Sequence, residues 1–282
     1  AIPKRKLVSI KIEKKLASIE VIKKNFESLN YICNTQIATA VFLAYHLEKP
    51  ILIEGPPGVG KTELAKTAAE MLSLPCVRLQ CYEGLDESKA IYEWKYGKQL
   101  LYTQVLKETL SEILEGAKGL EQSVSKLQDF GDIFFSEKFL EPRPLLKALK
   151  AEQGCVLLID EVDKSDHEFE SLLLEMLSDF QLSIPEIGTV RAQTDKKPLV
   201  FLTSNNTREI SDALKRRCLH LYIPFPDTDL EERIVSAKVP HISQKLRTQL
   251  VAFIQELRDM DLKKVLPSAK QLTGLKHLYY LM

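Results

Sequence analysis

Net charge is the first thing this sequence lacks: 39 Lys and Arg balance 39 Asp and Glu, and the isoelectric point lies near 7.1. A chain dedicated to nucleic acid carries a basic domain with clustered Lys and Arg for phosphate contacts, so nucleic acid is not an expected partner. A long hydrophobic run is missing too. The longest mainly apolar stretch, Ile37 to Tyr45, falls well short of the roughly 20 residues that span a bilayer. No apolar block follows the basic N-terminus as in a signal peptide, so a cytoplasmic protein without a membrane partner is expected. Cysteine is sparse. Cys33, Cys76, Cys81, Cys155 and Cys218 form neither a CxxC nor a zinc spacing, which fits a reducing compartment with most of them as small core residues. With hydrophobic residues at 45% and charged residues at 28%, disordered and collagen-like classes are excluded.

What is present has an α/β rhythm. A length of 282 residues predicts one large domain or two unequal ones. Residues 4–24 carry eight Lys and Arg against two acids, with Leu7, Ile10, Leu16 and Ile19 between them, a basic and partly amphipathic helical leader with a solvated face. Asn34-Thr35 then caps a helix through Ile37, Val41 and Ala44. Strands are predicted at 51–53, 76–79, 155–159, 199–203 and 219–223, with helices at 62–72, 145–151 and 169–177. Such alternation implies a parallel sheet with helices on both faces. Two parts break the rhythm: amphipathic helices between 101 and 132, and a hairpin at about 180–191. After Pro224 and Pro226 the pattern is helical, opened by a capping box at Thr228-Asp229-Leu230-Glu231 and continued by a second at 268–271. The expected organisation is a leader over 1–33, an α/β domain over 34–226 with an insert at about 82–135, and a small all-helical lid over 227–282. The chain begins at Ala1 without Met and stops straight after a helix-like run, so the lid is expected to be cut short and the chain to be a piece of a longer protein.

The chemistry concentrates in four places. Gly55-Pro56-Pro57-Gly58-Val59-Gly60-Lys61-Thr62 matches the full phosphate-loop pattern G-x-x-x-x-G-K-[ST]. Its glycines let successive amides turn inward on a polyphosphate at a helix N-terminus, Lys61 reaches the β- and γ-phosphates, and the Thr62 hydroxyl ligates Mg²⁺. Cys155 to Ile159 is an apolar run ending in Asp160-Glu161. Asp160 is placed to hold Mg²⁺ or its water shell, and Glu161 to orient and polarise the attacking water. A third strand ends in amides at Ser204-Asn205-Asn206, where a neutral donor can position water without repelling the anion; Asn205 is the first candidate and Asn206 the second. Arg208, Arg216 and Arg217 follow, and a guanidinium on the γ-phosphate stabilises transition-state charge.

With these elements in this order the chain resembles an AAA+ ATPase with the P-loop NTPase fold, and closely the MoxR family with its CbbQ- and CoxD-like members. The stretches that carry the resemblance are Leu79 to Asp86, Tyr92 to Tyr96, Arg143 to Leu146 and Asp160-Glu161-Val162-Asp163-Lys164. It implies Mg²⁺-dependent ATP hydrolysis in a homo-oligomeric ring, a hexamer, with ATP between subunits. It further implies a remodelling chaperone that matures or activates a metal-containing enzyme, with a protein client and a partner bearing a von Willebrand type A domain. By the same resemblance Arg217 matches the arginine finger acting in trans with Arg216 beside it, Asn205 matches sensor 1, and Lys270 stands where sensor 2 usually supplies an arginine. The region after Tyr82 matches the helix-2 insert and residues 180–191 the hairpin before sensor 1, with Tyr92, Trp94 and Tyr96 as candidates to grip a client, against ordinary aromatic packing as the expected role of at least two of them. A second class, a nucleic-acid motor or restriction-type translocase subunit, rests on the basic leader alone.

Overall fold

The computed structural model describes residues 12–102, 104, 137–185 and 187–259. At its centre is a five-stranded parallel sheet of β1 (Ile51–Glu54), β2 (Cys76–Gln80), β5 (Val156–Asp160), β8 (Leu199–Ser204) and β9 (Leu219–Tyr222), in the order β2-β5-β8-β1-β9. The central strands are short apolar runs because both of their faces are covered. Successive residues alternate between two cores: Val156, Leu158 and Phe201 enter one, Leu157, Ile159 and Leu202 the other.

The first core is closed by α1 (Ile19–Ser28), α2 (Thr35–Leu47) and α3 (Lys61–Leu72). The described part of the leader thus has two sides, with Lys14 and Lys24 exposed and Leu16, Ile22 and Phe26 fully buried. Asn34 caps α2 as the sequence predicts, its Oδ1 accepting from the Ile37 amide at 2.8 Å. The second core is closed by the short α4 (Glu87–Ala90), α5 (Pro144–Leu149), α6 (His167–Asp179) and the short α7 (Asp212–Lys215). The hairpin forms as β6 (Gln181–Ile184) and β7 (Gly188–Arg191).

Two local findings differ from the sequence reading. A small antiparallel pair, β3 (Tyr92–Trp94) with β4 (Leu140–Pro142), closes the base of the insert. Its partners are too far apart in sequence for a hairpin signal. Tyr92 and Trp94 pack edge to face at 5.6 Å against the second core, whereas Tyr96 is 66% exposed. The predicted capping box also slips by one residue. Asp227, not Thr228, caps α8 (Thr228–Lys238) by accepting from the Leu230 amide, and Glu231 is instead buried against Arg258 and Gln255 of α9 (Gln244–Asp259). Lys270, the second box at 268–271 and most of the predicted insert helices lie outside the described residues. Among the described residues no helix is long and apolar enough to cross a membrane.

Candidate active site

The parallel register brings the motif-bearing strand ends to one edge of the sheet: Glu54 pairs with Ser204, Gln80 with Asp160, and Ile159 with Leu202. The chemistry therefore collects where β1, β5 and β8 stop. The phosphate loop leaves β1 at Gly55, whose φ of 151° and closeness to β9 admit no side chain, since a Cβ there would stand 2.2 Å from the Ile223 carbonyl oxygen. Gly58 and Gly60 have φ of 84° and 86°, conformations that L side chains rarely adopt. Gly60 is the N-cap of α3 and brings no side-chain cap, so no side chain competes for the amides of the first turn. A helix N-terminus left open behind a glycine turn is a cradle for an anion.

Lys61 is buried, and its Nζ donates to Gly55 O at 2.6 Å, Pro56 O at 2.7 Å and Asn205 Oδ1 at 2.7 Å. Burial pulls its pKa below the ordinary lysine value, opposed by the charges of Asp163, Asp160 and Glu161. Thr62 Oγ1 donates to Asp160 Oδ1 at 2.9 Å, which leaves the hydroxyl lone pairs to a hard cation. Asp160 Oδ1 also accepts from Thr203 Oγ1 at 2.6 Å, and Oδ2 accepts from Arg78 Nε at 3.0 Å and Nη2 at 2.6 Å.

Glu161 sits in the left-handed region with φ 58° and ψ 50°, a conformation uncommon for residues other than glycine. Its amide donates to Thr203 Oγ1 at 2.9 Å. Its carboxylate accepts from Gln80 Nε2 at 2.9 Å, Lys164 Nζ at 2.6 Å and Asn205 Nδ2 at 3.4 Å. The ion pair with Glu161 raises the pKa of Lys164. Asn205 thus touches both Lys61 and Glu161. Asn206 turns with φ 57° and meets Ser204 instead, so of the two candidates Asn205 is the one in the cluster.

Asp163 fixes the turn that carries Asn205. Its Oδ2 accepts from the Asn205 amide at 3.2 Å and from the Thr207 amide and hydroxyl at 2.9 and 2.6 Å. Burial opposes its ionisation, yet these hydrogen bonds outweigh it and hold its carboxyl below the usual value. Its Oδ1 is buried without a hydrogen-bond partner among the described residues.

The arginines separate. Arg208 is committed to structure, bound to the buried Glu170 and to Ser165 O at 2.7 Å, which removes it from the phosphate candidates. Arg216 and Arg217 are exposed and precede β9, whose first residue pairs with Ile51 at the opposite end of β1 from the phosphate loop. Arg217 donates from Nε to Ser178 Oγ at 2.7 Å. The length of β9, roughly 13 Å at 3.3 Å per residue, separates both from their own chain's site.

Sequence reasoning missed Arg78, Gln80 and Thr203 as members of the site. Arg78 and Gln80 are two apart on one strand and so share a face, but only the pairing of β2 with β5 sets them beside Asp160 and Glu161. The donor set fits a magnesium nucleotide: one hydroxyl and one carboxylate for a hard cation that keeps several waters, and a buried ammonium with open helix amides for phosphate.

Residues 50–218 match the family described as AAA domain (dynein-related subfamily). Among curated relatives, an uncharacterized protein of Staphylococcus epidermidis is 25% identical over 221 residues, 77% of this chain and 71% of its own length. Uncharacterized proteins of Staphylococcus aureus match with the same identity and coverage. A solved structure, that of a candidate ATPase from Cytophaga hutchinsonii, covers 84% of this chain at 18% identity and a TM-score of 0.48; the chain spans 59% of that protein.

Proposed function

This chain belongs to the AAA domain family, in its dynein-related subfamily, and on that premise we propose that it is an ATPase that hydrolyses ATP at the end of β1, β5 and β8. One observation carries the reading: Lys61, Thr62, Asp160, Glu161 and Asn205 meet around the phosphate loop, while Arg216 and Arg217 lie at the far end of the sheet. Gly55 to Thr62 bind the polyphosphate, with Lys61 exchanging its carbonyl partners for phosphate oxygens. Thr62 and Asp160 would hold Mg²⁺, which when bound would neutralise charge on the phosphates. Glu161 orients the attacking water and accepts its proton, and Asn205 fixes that carboxylate without adding charge.

The placement of Arg216 and Arg217 favours a shared site, in which they reach the γ-phosphate of a neighbouring copy. The reading is therefore a homo-oligomeric ring, a hexamer by resemblance to MoxR proteins, with α8 and α9 as part of a helical lid. The MoxR-like motif set supports a remodelling chaperone that matures a metal-containing enzyme, with a protein client and a von Willebrand type A partner in the cytoplasm. A Glu161→Gln variant tests the chemistry. ATP binding should persist while turnover falls about 10²-fold or more, read by nucleotide fluorescence and phosphate release. Dilution tests the sharing: specific activity should fall as copies separate, and full activity in a monomer would refute the trans arginine.

A further inference from the structure

Asp160 is more heavily engaged than a magnesium-holding carboxylate requires. Both oxygens are taken, Oδ1 by the hydroxyls of Thr62 and Thr203 and Oδ2 by the two arms of Arg78. The carboxylate is 3% exposed and Arg78 is 48% exposed, on β2 at the edge of the sheet. Among the described residues Arg78 is the one cation within salt-bridge distance of Asp160. A buried carboxylate without a cation is costly, so whichever cation is at hand occupies it.

We propose that Arg78 and Mg²⁺ compete for Asp160, so that Arg78 is a positioning residue that sets the magnesium concentration at which the nucleotide site is loaded. The inference rests on the reading of Thr62 and Asp160 as the magnesium pair. Two physical terms have the same sign: Arg78 blocks Oδ2, and its charge repels a dication approaching the same carboxylate. Release is cheap because the guanidinium is already half in water and keeps Gln80 Oε1 as a second acceptor. A magnesium-poor site is thereby kept neutral and ordered.

The test is a Mg²⁺ titration of bound mant-ADP, read by fluorescence rather than turnover, on the wild type and on Arg78→Gln, Arg78→Lys and Thr62→Ala. Arg78→Gln should lower the half-saturating Mg²⁺ by about threefold to tenfold, and Arg78→Lys should stay near the wild type. An unchanged or raised value in a folded Arg78→Gln variant overturns the competition, as does a Lys variant that falls as far as the Gln variant. Thr62→Ala should raise the half-saturating Mg²⁺. If it moves nothing, the magnesium reading itself fails; if it raises the value while Arg78→Gln changes nothing, only the competition fails. Should Arg78→Gln not fold, phenylglyoxal labelling of Arg78 in the wild type, followed by peptide mass spectrometry, decides. Labelling should be faster with Mg²⁺ and ADP than with ADP alone, and an equal or slower rate overturns the proposal.

Discussion

Asp160, Glu170 and Glu231 are all nearly fully buried carboxylates, and each holds an arginine, yet the arginines differ. Arg258, against Glu231, is 18% exposed and stacks its guanidinium 4.8 Å from the Phe225 ring centroid; Arg208, against Glu170, is 30% exposed; Arg78, against Asp160, is 48% exposed. The first two pairs are built into their elements. Glu231 joins α8 to α9, and Glu170 accepts in addition from the Ser211 amide at 3.0 Å, fastening α6 to the turn before α7. At Asp160 the partners on Oδ1 are two hydroxyls and the cation sits at an open edge. Buried carboxylate–arginine pairs that look alike in a contact map thus divide by the solvent access of the arginine, into fasteners and an exchangeable counter-ion.

The largest effect is expected at Glu170. Glu170→Ala strands a largely buried Arg208, and unfolding by urea should show a loss of about 2–3 kcal/mol, with nucleotide binding by the remaining folded protein unchanged. A Glu170→Ala protein that kept its stability but lost nucleotide would erase the division. The next largest effect is expected at Thr203, whose hydroxyl serves Asp160 and the Glu161 amide together. Thr203→Val should cost about 1–2 kcal/mol of stability and reduce turnover more than nucleotide affinity, because the Glu161 turn loses its tether.

The smallest effect is acid sensitivity. In the folded protein burial works against ionisation of Glu170, but hydrogen bonds from Ser211 and Arg208 outweigh it and hold its carboxyl below the ordinary glutamate value. The Asp163 carboxyl is likewise held below its ordinary value. A depressed carboxylate pKa contributes stability above the unfolded value and loses it as pH falls through the folded one. Urea unfolding should therefore show a decline below about pH 4.5 that is shallower in Glu170→Gln. A decline of unchanged steepness in that variant would remove Glu170 from the acid response.

The sheet was legible because five short apolar runs are each bounded by turn or cap residues, and because three of them end in residues that a buried strand has no packing reason to carry: Gly55, Asp160-Glu161 and Asn205. Strand neighbours were not. Nothing in Cys76 to Gln80 states that β2 lies beside β5, so the second ring of the site, Arg78 and Gln80, stayed invisible although its residues alternate on one face. The β3–β4 pair escaped for the same reason. Local chemistry misled at α8, where Asp227 and Thr228 are both good caps and adjacent. The choice fell to Asp227 because Glu231 is drawn into the contact with Arg258 and cannot turn back to its own helix. Burial sorted the cysteines: Cys33, Cys81, Cys155 and Cys218 are inside, with thiols pushed up to about 12 by desolvation, while Cys76 is exposed on β2.

Gly55 ties the phosphate loop to the end of β9. The atom that forbids a side chain there belongs to Ile223, whose amide in turn donates to Glu54 O at 2.9 Å, so the two backbones interlock just before the chain leaves for α8. The first glycine of the phosphate loop is thus demanded by the neighbouring strand as well as by the anion. A substitution at Gly55 would act as a wedge, prising β9 and the helices after it from the nucleotide-binding edge, and its first symptom would be mechanical slack between them.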